Sequence, residues 1–232
     1  MPQSFDVNGL QLFCRDSGHG QPLLLLHGFT GSGDDWSHVF AEPLAGYRVI
    51  APDLRGHGRS TNPSGAFKFA EVARDMFALL DQLGIDRVKA IGTSAGANTL
   101  LHMATQQPSR IDAMIHISGT PRFPDQARAI MRAMTPEQSP LWRHAHEFAE
   151  DRTDMNFDAA KLSTITARTL IVHGDRDPLY PVELAVELFR AIPNAALDVV
   201  PNGGHGPIFG EQAPPFVRTA TSFLAPQAPQ AP

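Results

Sequence analysis

Residues 88–101, VKAIGTSAGANTLL, constrain the fold more than any other stretch of this chain. The segment opens as a buried strand over 88–91 and closes as the start of a helix over 95–101. Between them lies Gly92-Thr93-Ser94-Ala95-Gly96, of the form G-x-S-x-G. Small residues at both ends suit a place where backbone passes close to backbone. The chain must turn sharply there and push one side chain, Ser94, into the open.

The same rhythm runs through the rest of the sequence. Residues 5–7 and 10–15 flank Asn8-Gly9, a tight-turn signal, and read as a hairpin. Residues 16–22 read as a turn-rich connector. Leu23, Leu24, Leu25 and Leu26 are too few for a helix and apolar on both faces, which suits a central strand. Residues 47–51 form another short apolar run. Over 69–83, Val72, Met76, Leu79, Leu80 and Leu83 recur at helical spacing, with Glu71, Arg74, Asp75 and Asp81 opposite and Gly84 as the stop. Further strands are expected at 114–118, 169–173 and 197–200. Helices are expected at 95–107, 182–192, with Ala185, Leu188, Phe189 and Ile192 on one face, and 215–224. This alternation predicts an α/β fold with a mostly parallel central sheet of about eight strands, an antiparallel N-terminal edge and flanking helices.

Residues 121–168 break the rhythm. They carry helical patterns at 125–134, 140–150 and 158–163 but no convincing strand. A helical excursion of this length between two strands reads as an insertion over one edge of the sheet. It leaves and returns near strand C-termini, where α/β sheets bind ligands, so it can act as a lid. The expected organisation is a core over 1–120 and 168–225, a short helical cap over 121–167, and a disordered Pro/Ala/Gln tail over 226–232.

Charge and cysteine usage narrow the partners. The net charge is −5 and no dense Lys/Arg run appears, which gives no support to nucleic-acid or membrane binding. No apolar run approaches a membrane span, and residues 1–9 lack the features of a signal peptide. Cys14 is the single cysteine, so no internal disulfide forms, and a small buried core residue is the expected reading. A cytoplasmic protein, monomeric or homodimeric, follows. No metal-ligand cluster, dinucleotide fingerprint or P-loop lysine is present, and no cofactor is expected.

A serine hydroxyl is a poor nucleophile until a base takes its proton, and that base works best when a carboxylate holds it. Two further strands run into suitable groups: 169–173 into His173-Gly174-Asp175-Arg176-Asp177-Pro178, and 197–200 into Asn202-Gly203-Gly204-His205-Gly206. The order is then Ser, Asp, His, as a nucleophile elbow requires.

At these residues the chain resembles the α/β-hydrolases that carry a cap. LLLLHGFTGS at 23–32, VIAPDLRGHGRS at 49–60, GTSAG at 92–96, HGDRDPLYP at 173–181 and NGGHG at 202–206 arrive in the family order and cover nearly the whole chain. The resemblance implies Ser94 as nucleophile, His205 as base and Asp177, rather than Asp175, as the acid that orients it. It implies the backbone N–H groups of Phe29 and Ala95 as the oxyanion hole, with Gly28 keeping that backbone close. It implies structural roles for His27 and His57, and a loop-pinning role for the charges of 53–60. His144 and His146 fall in the insertion, where a solvated face is expected over a substrate contact. Trp36 suits core and pocket equally. Of the insertion's Phe123, Met131, Met134, Leu141, Trp142, Phe148, Met155 and Phe157, a few are expected to line an apolar pocket with Leu179 and Ile208. The implied activity is hydrolysis of a small-molecule carboxylic ester or lactone through an acyl-enzyme. Same-fold alternatives are C–C bond hydrolysis, a lyase, a peroxide-forming enzyme, an aminopeptidase, or a slow-turnover ligand receptor.

Overall fold

The computed structural model describes residues 2–42, 44–134 and 141–225, so the expected disorder of 226–232 lies outside the described residues. β1 (Pro2–Val7) and β2 (Leu10–Gly18) form the hairpin, with positive φ at both Asn8 and Gly9. β2 runs to Gly18 and β3 (Gln21–Leu26) starts at Gln21, so the expected connector over 16–22 shrinks to a turn. β4 (Tyr47–Pro52), β5 (Val88–Thr93), β6 (Ile111–Ile117), β7 (Arg168–Gly174) and β8 (Ala195–Val200) complete one eight-stranded sheet in the order β1-β2-β4-β3-β5-β6-β7-β8. The β1–β2 and β2–β4 pairings are antiparallel; β3 to β8 all run parallel to one another.

The four leucines of β3 show why the sheet is covered twice. Leu24 and Leu26 join the core beneath α1 (Phe69–Gln82), α2 (Ala95–Gln106) and α6 (Val182–Ala191). Leu23 and Leu25 join a second core with Trp36 and with Phe216, Ala220 and Leu224 of α7 (Ala213–Leu224). Each leucine is at most 2% exposed, and full burial of such a side chain contributes about 1.5–3 kcal/mol. Trp36 and Ile208 both belong to this second core, so neither serves the pocket beside Ser94. Phe189, expected on the buried face of α6, is 41% exposed.

Two buried carboxylates are held by specific partners. Asp75, expected on the solvent face of α1, is fully buried because the Arg55 guanidinium grips both its oxygens, at 2.7 and 3.0 Å, and the Asn8 amide adds a third bond. Asp53 accepts from the Gly33 and Arg59 amides, both at 2.8 Å, and ties the loop over 53–60 to the one over 28–33. Cys14 is buried in β2, and burial pushes its thiol up to about 12. The thiolate is the reactive form. Iodoacetamide at pH 8 is therefore expected to leave the folded protein unlabelled over an hour and to add one adduct in urea; rapid native labelling, read by intact mass, would contradict this burial.

Between β6 and β7 the chain forms α3 (Asp125–Ala133), α4 (Trp142–Glu150) and α5 (Ala159–Leu162). Arg128 is buried, and its guanidinium donates to the carbonyls of Phe123, Phe148, Ala149 and Asp151, closing the C-terminus of α4. The segment is fastened to α1 by Asp154. The N-cap residue Lys68 offers α1 no side-chain bond, and the Asp154 carboxylate instead accepts from Phe69 N (2.6 Å) and Ala70 N (3.1 Å). Lys68 pairs with Asp151 beside it. His144 is buried against the Phe67 ring, contrary to the solvated setting expected, while His146 is exposed.

Candidate active site

Going from β3 to β5 the chain passes through β4 and α1 and reverses the direction in which strands are added. The crevice outside the carboxyl ends of β3 and β5 is thus the switch point where such sheets hold ligands. Ser94 sits there, between β5 and α2, with φ 51° and ψ −111°. This is a strained conformation for a residue with a side chain, and the surroundings hold it. Ser94 N donates to Ile117 O at 2.8 Å, and Asn98 N donates to Ser94 O at 2.9 Å. A Cβ on Gly92 would lie 2.6 Å from the Gly96 carbonyl, and one on Gly96 would strike the Leu26 carbonyl, so both positions need glycine for the turn to close.

The other two candidates reach Ser94 from β7 and β8. His205 Nδ1 lies 2.8 Å from Asp177 Oδ2, and its Nε2 lies 2.9 Å from Ser94 Oγ. An ionised carboxylate only accepts, so Nδ1 carries the proton and Nε2 is left to accept from the serine hydroxyl. The Asp177 side chain is fully buried, while that of His205 is 25% exposed. Burial opposes the Asp177 charge. The His205 bond and charge, with Leu179 N and Tyr180 N donating to Oδ1, outweigh it and hold the carboxyl below its usual range. Asp175 is exposed, with its Oδ1 3.9 Å from Arg176 Nε.

Phe29 and Ala95 both line the cavity at Ser94. Ala95 opens α2, where first-turn N–H groups have no partner within the helix and the positive end of the helix dipole points at the serine. The Gly28 Cα is close enough that an added Cβ would touch Ser94 Cβ at 3.6 Å. His27 is a structural group: its Nε2 accepts from Leu54 N at 2.9 Å and its Nδ1 donates to Gly28 O at 2.7 Å, fixing the loop that carries Phe29.

The cavity measures about 140 Å³. Its walls include Phe29, Phe69, Phe123 and Phe148 with Met131 and Leu179. Phe123 and Phe148 come from the segment between β6 and β7; Met155 and Phe157 of that segment are core residues, and the side chain of Trp142 lies outside the described ones. Three residues escaped the sequence reading. Asn98 and Tyr180 line the cavity although both are buried. His173, buried and outside the cavity lining, donates from Nε2 to Tyr180 O at 2.9 Å and steadies the turn that carries Asp177. Asn98 stands four residues after Ser94 on a helix, a spacing that could have revealed it. Among the described residues no group of His, Cys, Asp and Glu is arranged to hold a metal ion, and no helix is long and apolar enough to cross a membrane.

The profile of the alpha/beta hydrolase fold matches residues 21–167, and that of a TAP-like protein family matches 149–231. The chain belongs to the alpha/beta hydrolase fold family. It is 28% identical to non-heme chloroperoxidase CPO-A1 of Kitasatospora aureofaciens, across 89% of this chain and 92% of that one. Among solved structures, an alpha/beta hydrolase from a Medee basin deep-sea metagenome superposes with a TM-score of 0.85 at 16% identity, covering 99% of this chain and all of the other. The enol-lactonase of Burkholderia xenovorans LB400 gives 0.79 at 22% identity, covering 96% and 99%. These two structural likenesses support the fold of this alpha/beta hydrolase and leave its substrate to the site itself.

Proposed function

We propose that the protein is a serine hydrolase that cleaves small carboxylic esters or lactones. The observation that carries this reading is the hydrogen-bonded chain from Ser94 Oγ through His205 to Asp177, aimed into an apolar cavity. Ser94 Oγ attacks the carbonyl carbon as its proton passes to His205 Nε2. Asp177 holds the imidazole in the tautomer that accepts this proton and stabilises the imidazolium. The N–H groups of Phe29 and Ala95 bind the developing oxyanion, and such a donor is worth about a hundred- to a thousand-fold in rate. His205 then protonates the leaving alcohol. Water, deprotonated by His205, attacks the acyl group on Ser94 and releases the acid.

Residues 121–167 act as a cap in this reading, because Phe123, Met131 and Phe148 close the cavity over Ser94. A cavity of about 140 Å³ is close to the ~150 Å³ that holds a benzene ring, so the acyl group is small. Across p-nitrophenyl esters from acetate to decanoate, kcat/KM is expected to peak at four carbons or fewer and to fall at least tenfold by decanoate. No turnover by the folded protein would remove the ester-hydrolase reading, and an optimum at decanoate would remove the small-acyl part of it.

A further inference from the structure

Two of the rings that line the cavity at Ser94, Phe123 and Phe148, stand on different parts of the segment between β6 and β7. Phe123 lies just before α3, and Phe148 lies near the end of α4. The two rings pack together, with centroids 6.0 Å and planes 30° apart, and each also meets Phe69 at the start of α1. The backbones that carry them are joined by Arg128. Its Nε donates to Phe123 O at 3.0 Å. Its Nη1 is shared among Phe148 O at 3.2 Å, Ala149 O at 2.6 Å and Asp151 O at 3.0 Å. One guanidinium plane thus holds the carbonyls of both wall residues, and its centre lies 5.9 Å from the Phe123 ring. Arg128 itself is 3% exposed and does not line the cavity.

These bonds all go to backbone carbonyls and none to a carboxylate. Burying a charge is costly, and apolar side chains of similar volume often serve a fold as well. What the guanidinium adds is a fixed arrangement, because its rigid planar fork holds its acceptors at set positions and an apolar contact does not. Nor is Arg128 the fastening of this segment to the body, which Asp154 and Lys68 already make at α1. We infer that Arg128 is the positioning residue that sets the upper size limit of the substrate. By holding Phe123 and Phe148 at one spacing it keeps the cavity near 140 Å³ and excludes acyl groups larger than one small ring or a short chain. It acts through these two phenylalanines and takes no part in the chemistry at Ser94. This assignment rests on the serine-hydrolase reading for its substrates but not for the size limit itself.

Arg128→Met keeps a long apolar stem and removes every one of these donors. With p-nitrophenyl esters, the ratio of kcat/KM for decanoate to that for butyrate is expected to rise at least tenfold over wild type. The kcat on acetate is expected to stay within about threefold, because Ser94, Asp177 and His205 hang from β5, β7 and β8, which Arg128 does not touch. Arg128→Lys keeps the charge, but its single ammonium replaces the planar fork. A rise of at least threefold is expected there, and this variant decides the matter if Arg128→Met does not fold. A lower Tm with an unchanged ratio would overturn the assignment while leaving the hydrolase reading intact, since Arg128 would then act only in stability. Calorimetry with benzene and naphthalene reads the size limit without turnover. Wild type is expected to bind benzene at least tenfold more tightly than naphthalene, and the variants to lose most of that preference. Equal affinities in the wild type, or a preference that the variants retain, would overturn the assignment. If no ester is turned over but the benzene preference holds in the wild type and is lost in the variants, the failure belongs to the hydrolase reading and the size-limiting role of Arg128 stands.

Discussion

Ser94→Ala is expected to lower kcat on a p-nitrophenyl ester by about 10⁴- to 10⁶-fold with little change in KM. The reason lies in what the hydroxyl does and does not touch. It makes one described hydrogen bond, to His205 Nε2 at 2.9 Å, and the cavity walls proposed to bind the acyl group are other residues. Losing it removes the nucleophile and leaves substrate binding in place. The strained backbone at 94 also accepts alanine, which has the same Cβ and no longer side chain to place. His205→Ala is expected to cost about as much, and the double variant little more than either alone, because serine and base act as one unit. Measuring kcat for both single variants and the double variant checks this. Additive losses would show that the two side chains act separately.

The second large effect is on stability, and its origin is four histidines. Desolvation lowers His27 and His102 to about 4 and His57 and His116 to about 3. An unfolded histidine titrates near 6.5, so between that value and the folded one the unfolded chain binds more protons. The stabilisation they permit is complete above pH 6.5 and is lost as pH falls toward the folded values. By pH 5 each costs about 2 kcal/mol, and the four together about 8 kcal/mol, a loss comparable with the whole stability of a typical domain, about 5–15 kcal/mol. Urea midpoints by circular dichroism are expected to fall steeply from pH 6.5 to 5 with m unchanged. His116 has neither ring nitrogen partnered, so His116→Leu is expected to flatten that slope by one proton. A midpoint independent of pH from 7.5 to 5 would contradict the burial of these rings.

Much of this molecule is written locally. The leucines of β3 announce a strand buried on both faces, and they do divide between two cores. The five residues around Ser94 describe a turn that only glycine neighbours permit, and it forms with Ser94 at positive φ. The order Ser94, Asp177, His205 could be read because each group follows a short apolar run, and short apolar runs became the strands. What stayed hidden depends on partners remote in sequence. Asp75 reads as a surface carboxylate until Arg55 is seen holding it. His144 reads as solvated until the segment between β6 and β7 folds down on Phe67. Ile208 follows His205 by three residues yet turns into the opposite core. Tyr180 and Asn98 are separated by eighty-odd positions, and only the fold brings both to the wall of one cavity.

The central claim is that Ser94 carries the acyl group during turnover. Rapid acid quench of the protein with excess p-nitrophenyl acetate, followed by intact-mass and peptide mass spectrometry, tests it most directly. The account predicts one added acetyl group, located at Ser94 and absent from Ser94→Ala. An adduct on another residue, or Ser94→Ala that hydrolyses the ester at the wild-type rate, would contradict it.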